Sequence, residues 1–311
     1  MVKNGCDGGK AVGRKGMTTV VNCILTHPGG AHKDDFLACC VLMAVHGVPV
    51  LRREPVTADL DDEATVVVDV GGEHDPARGN FDHHQFPREA TPLCALSLVL
   101  QDLGLYEDAR AFCEWLEPAE WFDCRGPAST AKWLGVERRV VSQLSSSIDL
   151  TLLRRFASQT ELRPGETLYE VMRWVGEDLL SYLRGMRERL RFLGEHAVFW
   201  QVAGPKGPLE VLFLPRTDSM AGEPSHGLPR FIAECGKAKS VVAMVYPDRR
   251  GAGYGLARYE DHPAFNFLRL NGCKDVHFVH ASGFLAKTSS ADVGRLRELL
   301  GKAVVGGGGA E

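Results

Sequence analysis

Histidines and aspartates gather at four places in the first half of the 311-residue chain. His27-Pro28-Gly29-Gly30-Ala31-His32-Lys33-Asp34 puts three potential metal ligands into one glycine-rich turn. Asp69 ends the run Val66-Val67-Val68, and Asp82-His83-His84 follows a short loop later. Asp149 is a further candidate. Nitrogen and carboxylate donors without cysteine suit manganese, iron or zinc in a hydrolytic centre better than a structural zinc. Two clusters sharing one carboxylate suggest two metals, an arrangement that activates water and steadies a phosphoryl oxygen. A one-metal site and a purely structural role are the open alternatives. His46, His196, His226 and His262 stand alone and are read as surface or hydrogen-bonded core residues. His74 and Asp75, just before Pro76, are read as turn residues.

Such ligands need a frame. Residues 20–25 (Val-Val-Asn-Cys-Ile-Leu) read as a strand that delivers Thr26-His27 at its carboxyl end. Asp34-Asp35 start a buried helix that runs through Val45 and stops at Gly47. Residues 48–51 form a second strand, 59–63 an acidic helical connection, and 65–70 a third strand of the buried, valine-rich kind. Gly71-Gly72 then frees the backbone to turn. Strand, helix, strand, connection, strand predicts an α/β fold with a Rossmann-like parallel sheet. Ligands bind such sheets at the carboxyl ends of the strands, where His27 and Asp69 stand. A bare carboxylate buried there is costly unless it is paired or metal-bound.

Further on, helical patterns cover 93–103, 109–116 and 137–144, and Pro164-Gly165 breaks the chain. Apolar residues from Leu168 to Leu193 recur every three or four positions, the clearest amphipathic helix of the sequence. Its arginine-rich face (Arg184, Arg187, Arg189, Arg191) reads as a solvated surface rather than a nucleic-acid track. Strands at 197–202, 210–214, 240–246, 254–259 and 277–281, with helices at 230–235 and 290–304, make a second α/β layer.

Composition narrows the class. Charged residues are 24% and hydrophobic residues 44%, a soluble globular profile. A net charge of -4 gives no basic footprint for coating duplex DNA. Bound cations could still bring a polyanionic substrate to acidic ligands. No stretch approaches the ~18 apolar residues of a membrane span. Residues 1–17 carry Lys3, Lys10, Arg14 and Lys15 but no apolar core, so they read as a disordered leader and not a secretory signal. A mitochondrial targeting leader has weak support there. The nine cysteines include no CxxC pair, which argues against a disulfide framework and for a cytoplasmic protein.

Taken together, four ordered motifs resemble the DHH phosphoesterase superfamily, and within it the melanocyte-proliferating-gene (MYG-one) family, described as metal-dependent exonucleases. They are Thr26-His27-Pro28-Gly29-Gly30-Ala31-His32-Lys33-Asp34, Asp69-Val70-Gly71-Gly72-Glu73, Asp82-His83-His84-Gln85 and Phe278-Val279-His280-Ala281-Ser282-Gly283-Phe284. The resemblance implies one metal on His27, His32 and Asp69 and a second on Asp34, Asp69, His83 and Asp149, with Asp69 bridging. The two divalent ions would be manganese first, with magnesium, iron or zinc as alternatives, and activated water would be the nucleophile. His84 would face the substrate phosphate, and Asp82 would orient a histidine. Arg258, whose guanidinium suits phosphate oxygens, and the loop of His280, Ser282 and Gly283 would contact the substrate. RNA or short oligonucleotides cleaved from the 3′ end would be that substrate.

The implied organisation is a leader (1–17), a DHH-type catalytic domain (18–165), a connecting helix (166–196), a smaller α/β substrate-binding domain closing over the cleft (197–305) and a flexible tail (306–311). Three departures stand out. Ala31 replaces the family's aromatic, no Asp-Asn-Gly follows Asp149, and the second domain lacks a Trp-Arg-Gly segment. The rival readings are a phosphohydrolase of nucleotides, cyclic dinucleotides or pyrophosphate, and a non-catalytic metal or nucleotide sensor.

Overall fold

A computed structural model describes residues 20–143, 145–218 and 223–306. The expected leader, the end of the expected 137–144 helix and nearly all of the expected tail lie outside these residues. The chain divides into two compact units, Met1–Gly185 and Met186–Glu311.

The first unit is built on β1 (Cys23–Thr26), α1 (Lys33–His46), β2 (Val50–Arg52), α2 (Thr57–Leu60), β3 (Thr65–Val68), β4 (His74–Asp75) and β5 (Asn80–Phe81). Helices α3 (Ala95–Asp102), α4 (Tyr106–Phe112), α5 (Leu116–Leu134), α6 (Arg138–Ser142) and α7 (Ser147–Ala157) follow, then β6 (Glu161–Leu162) and α8 (Thr167–His196). The unit boundary falls inside α8. Sheet order is β4-β5-β3-β1-β2-β6. β5, β3, β1 and β2 run parallel, while β4 and β6 pair antiparallel at the two edges. Ile24, Leu25, Val66, Val67 and Val68 are fully buried or nearly so, which explains their unbroken apolar character. α1 is buried from Asp34 to Met43 apart from Leu37 and closes on Gly47 in the left-handed conformation (φ 68°), the expected stop.

The second unit carries β7 (Val198–Val202), β8 (Leu209–Phe213), α9 (Leu228–Glu234), β9 (Val241–Pro247), β10 (Tyr254–Arg258), a single 3₁₀ turn (Phe267–Leu270), β11 (Val276–Val279), β12 (Leu285–Thr288) and α10 (Val293–Ala303). Its sheet order is β11-β12-β10-β9-β8-β7. Only the β8–β9 pair is parallel; the other pairs are antiparallel. Leu296, Leu299 and Leu300 of α10 seal it against Phe265, Phe267 and Val245 in one apolar core. Both units are therefore α/β, with the parallel strands concentrated in the first. No described helix is long and apolar enough to cross a membrane.

Candidate metal centre

The carboxyl ends of β1 and β3 bring the first ligands together. His27 follows β1, and its Nδ1–H donates to the Pro28 carbonyl at 2.9 Å. That bond turns Nε2 toward Asp35 (3.3 Å) and Asp69 (3.5 Å). Asp35 beside it pushes the His27 imidazole up to about 9, against the effect of burial. His32 caps α1, where Asp35 Oδ1 accepts its backbone N–H at 2.7 Å. The first helical turn holds Asp34 and Asp35, both buried.

Asp69 stands one residue beyond β3 in the left-handed conformation, φ 59°, which an aspartate tolerates better than most side chains. Its backbone N–H donates to the Phe81 carbonyl, so the strained residue is tied to the neighbouring strand. Past β5, Asp82 is buried and accepts three bonds. Gly72 N–H donates to Oδ2 at 2.6 Å, and the His84 backbone N–H and Nδ1–H donate to Oδ1 at 3.1 and 2.7 Å. Burial opposes charge on Asp82, but these donors hold it down at about 2. The same pair raises His84 above the ordinary histidine range.

His83 Nε2 lies 3.0 Å from Asp69 Oδ1, 3.0 Å from Asp123 Oδ2 and 4.0 Å from Asp34 Oδ2. Neither Nε2 nor Asp69 Oδ1 has a properly directed hydrogen bond, and neither oxygen of Asp34 has a hydrogen-bond partner. Four buried polar atoms thus converge without satisfying one another, a costly state for neutral or charged groups alike. Burial, with Asp69, Asp123 and Asp35 close by, lifts the Asp34 carboxyl well above its usual range. Burial lifts Asp69 as well. For His83, burial works against charge, but Asp123 and Asp69 prevail and push it up to about 12. Burial would also raise Asp123; His83 outweighs that and keeps it low. On the other side of the ring, His83 Nδ1 faces Cys124 Sγ at 3.7 Å.

Among the described residues, four overlapping sets have ligand atoms within 4.8 Å of one another: His27, His32 and Asp69; Asp69, His83 and His84; His83, Asp123 and Cys124; His32, Asp34 and Asp123. Asp123 is the residue that sequence reasoning missed. It comes from α5, whose course is broken at Gly126 (φ 75°, ψ 166°) just before Pro127. Asp149, expected as a ligand, is not part of the cluster. It occupies the first turn of α7, where it accepts the Ser146 N–H at 2.9 Å and faces Lys33 Nζ at 3.6 Å. The carboxylate that meets His83 is Asp123 instead, because α5 crosses α1 while Asp149 is spent on capping its own helix.

Residues 23–104 match the family model MYG1_exonuc, described as "Uncharacterised protein family (UPF0160)". This segment carries the MYG1-family signature. The Bos taurus and Homo sapiens proteins named "MYG1 exonuclease" are each 42% identical to the chain over 64 residues, covering 19% of the chain and 16% of the relative. The Rattus norvegicus protein of that name is 39% identical over 75 residues, covering 22% of the chain and 19% of the relative. The matched part is therefore under a fifth of each relative's length. The MYG1-like segment includes His27, His32, Asp34, Asp69, Asp82, His83 and His84. Asp123, Asp149 and the 278–284 motif lie beyond it.

In the second unit, the expected substrate contacts adopt a tight turn. His280 Nδ1 accepts the Ser282 N–H at 3.2 Å, and Gly283 is left-handed (φ 68°). A Cβ on Gly283 would sit 2.3 Å from Asn266 Oδ1, so the glycine is required by close approach. Arg258, at the end of β10, has a buried Nε without a hydrogen-bond partner.

Proposed function

We propose that this chain is a metal-dependent phosphodiester hydrolase of the DHH type, acting as a 3′-to-5′ exonuclease on RNA or short oligonucleotides. One observation carries the reading. Asp34 is buried with neither oxygen hydrogen-bonded, facing Asp69, Asp123 and His83. Carboxylates and imidazoles in that state fit a divalent cation, since an added positive charge relieves both their repulsion and their missing bonds. His27, His32 and Asp69 would hold one ion, and Asp34, Asp69, His83 and Asp123 a second. Manganese suits this oxygen and nitrogen set, with magnesium, iron or zinc as alternatives. Such ions supply Lewis acidity that polarises a phosphoryl oxygen and acidifies water. Asp123 takes the role first assigned to Asp149.

The chain's own residues supply the rest. Asp82 accepts the Nδ1–H of His84, which leaves Nε2 on the exposed side of the ring, able to hold a proton beside a phosphate oxygen. The parallel order β5-β3-β1-β2 supports the Rossmann-like DHH architecture. Arg258, His280, Ser282 and Gly283 belong to the same proposal as substrate contacts, joined through α8 as the connecting helix, and so does a cytoplasmic setting. A cavity of about 360 Å³ beside His83 and His84 favours, as a second reading, hydrolysis of small phosphoesters.

The test follows end-labelled RNA, with free or blocked 3′ ends, in manganese beside His83→Ala. Stepwise loss from free 3′ ends alone, absent in the variant, supports the exonuclease. Intact RNA with cleavage of nucleotides or dinucleotides would move the assignment to the second reading.

A further inference from the structure

The 360 Å³ cavity lies wholly within the first unit and is bordered on one side by His83, His84 and Asp123. Its lining also includes Phe86, Arg88 and Arg125. None of these three was singled out by the sequence, and none belongs to the metal cluster. The volume is near the small end of ligand pockets, which span roughly 300–1,000 Å³.

The electrostatics of the two arginines are informative. Arg125 donates to the backbone carbonyls of Ala90 and Cys124. Two of its five N–H donors are used in this way, and no carboxylate pairs with it among the described residues. Arg88 has no hydrogen-bond or ion-pair partner among those residues. Both line the same cavity as Asp123, yet neither turns to that carboxylate, which is engaged with His83 instead. Two guanidiniums lining one cavity without acidic partners leave planar N–H forks of the kind that suit phosphate oxygens. Phe86 adds an aromatic surface; its ring packs edge-on with His74 at 5.8 Å between centroids. Aromatic rings beside cationic side chains seat single nucleotides by stacking, without base reading.

From this arrangement we propose that the cavity is a subsite for one nucleoside monophosphate unit, its phosphate on Arg88 and Arg125 and its base against Phe86. The inference rests on the hydrolase reading, because it places the terminal nucleotide of the substrate beside the metal cluster. The subsite would accept the released 5′-mononucleotide as a product inhibitor and tolerate any base.

Isothermal titration of the full chain in manganese buffer, with adenosine 5′-monophosphate and with inorganic phosphate as separate probes, tests it. One-to-one nucleotide binding is expected, weakened about tenfold or more by Arg125→Lys and by Arg88→Ala. Phe86→Leu is expected to weaken the nucleotide and leave inorganic phosphate unchanged. Arg88 is exposed, so its variant stays informative if Arg125 substitutions unfold the loop. Equal nucleotide binding in wild type and variants, or nucleotide binding no tighter than phosphate, would overturn the subsite. Wild-type turnover of bis(p-nitrophenyl) phosphate, too small to need the cavity, is followed in parallel. Its absence with every metal would sink the hydrolase reading and leave the titration result standing.

Discussion

His83 and Asp123 meet at 3.0 Å, imidazole Nε2 to carboxylate Oδ2, although one follows a two-residue strand and the other sits in mid-helix. The contact fixes which acidic residue completes the cluster. It also makes α5 part of the site, and α5 is itself anchored by a buried carboxylate one turn earlier. Glu120 accepts from Ser97 (2.6 Å), Tyr106 (2.9 Å) and Arg110 (3.0 Å), so the helix face bearing Asp123 is held in register.

Asp123→Ala is therefore expected to cost more manganese affinity than the roughly 10–100-fold typical of losing a supporting residue. Asp149→Ala, which removes only a helix cap and a Lys33 pairing, should bind manganese like the wild type. Calorimetric titration of the two variants side by side decides the matter. The reverse ranking would restore Asp149 as the ligand.

Much of the first sheet could be read directly because apolar runs and glycine stops agree. Val66-Val67-Val68 is a strand and Gly47 a helix stop both by pattern and in the fold. α5 is masked by its own punctuation: Gly126-Pro127 in mid-helix breaks the pattern, and residues 117–136 carry no expected element. Trp121 and Trp133 stack at 5.0 Å across that break, a contact that tertiary packing sets and their spacing does not announce. β4, β5 and β6 are two residues each, too short for any alternation to show. The positive φ of Asp69 is set by tertiary pairing and leaves no trace in composition.

Asp82 belongs to none of the four ligand sets but holds one of their members, His84, and ties it to Gly72. Asp82→Ala should leave manganese stoichiometry intact while lowering turnover by roughly 10–100-fold, as when a supporting carboxylate is lost. It should also destabilise the fold by about 1–3 kcal/mol, because the charge-assisted hydrogen bonds from Gly72 and His84 are lost. Urea titration and metal analysis on one preparation separate these effects. Loss of bound metal in proportion to activity would show that Asp82 acts as a ligand.

α1 and α8 touch at backbone distance. A Cβ on Gly176 would lie 2.0 Å from the Cys40 carbonyl oxygen, and backbone rather than a yielding side chain stands in the way. Gly176→Ala should destabilise the protein by at least about 1–3 kcal/mol, the usual cost of overpacking, despite alanine's better helix propensity. A lower urea midpoint is the expected reading. An unchanged or higher midpoint would mean that α8 shifts freely past α1.

In the second unit, Asp275 receives a two-pronged pair from Arg295, Nε to Oδ2 at 2.9 Å and Nη2 to Oδ1 at 2.8 Å. The Arg295 guanidinium holds the Asp275 carboxyl at about 2, below the ordinary aspartate value of about 4. A carboxyl depressed on folding binds fewer protons in the native state than in the unfolded one, so stability falls as the solution is acidified. The contribution is complete above pH ~4 and fades as pH drops toward ~2. Arg295→Gln should thus melt lower than the wild type at pH 6, with the difference closing between pH 4 and pH 2. Salt should shrink it too, since the pair is part-exposed. A melting difference that stays constant through that acid window would assign the effect to lost packing of the arginine stem instead.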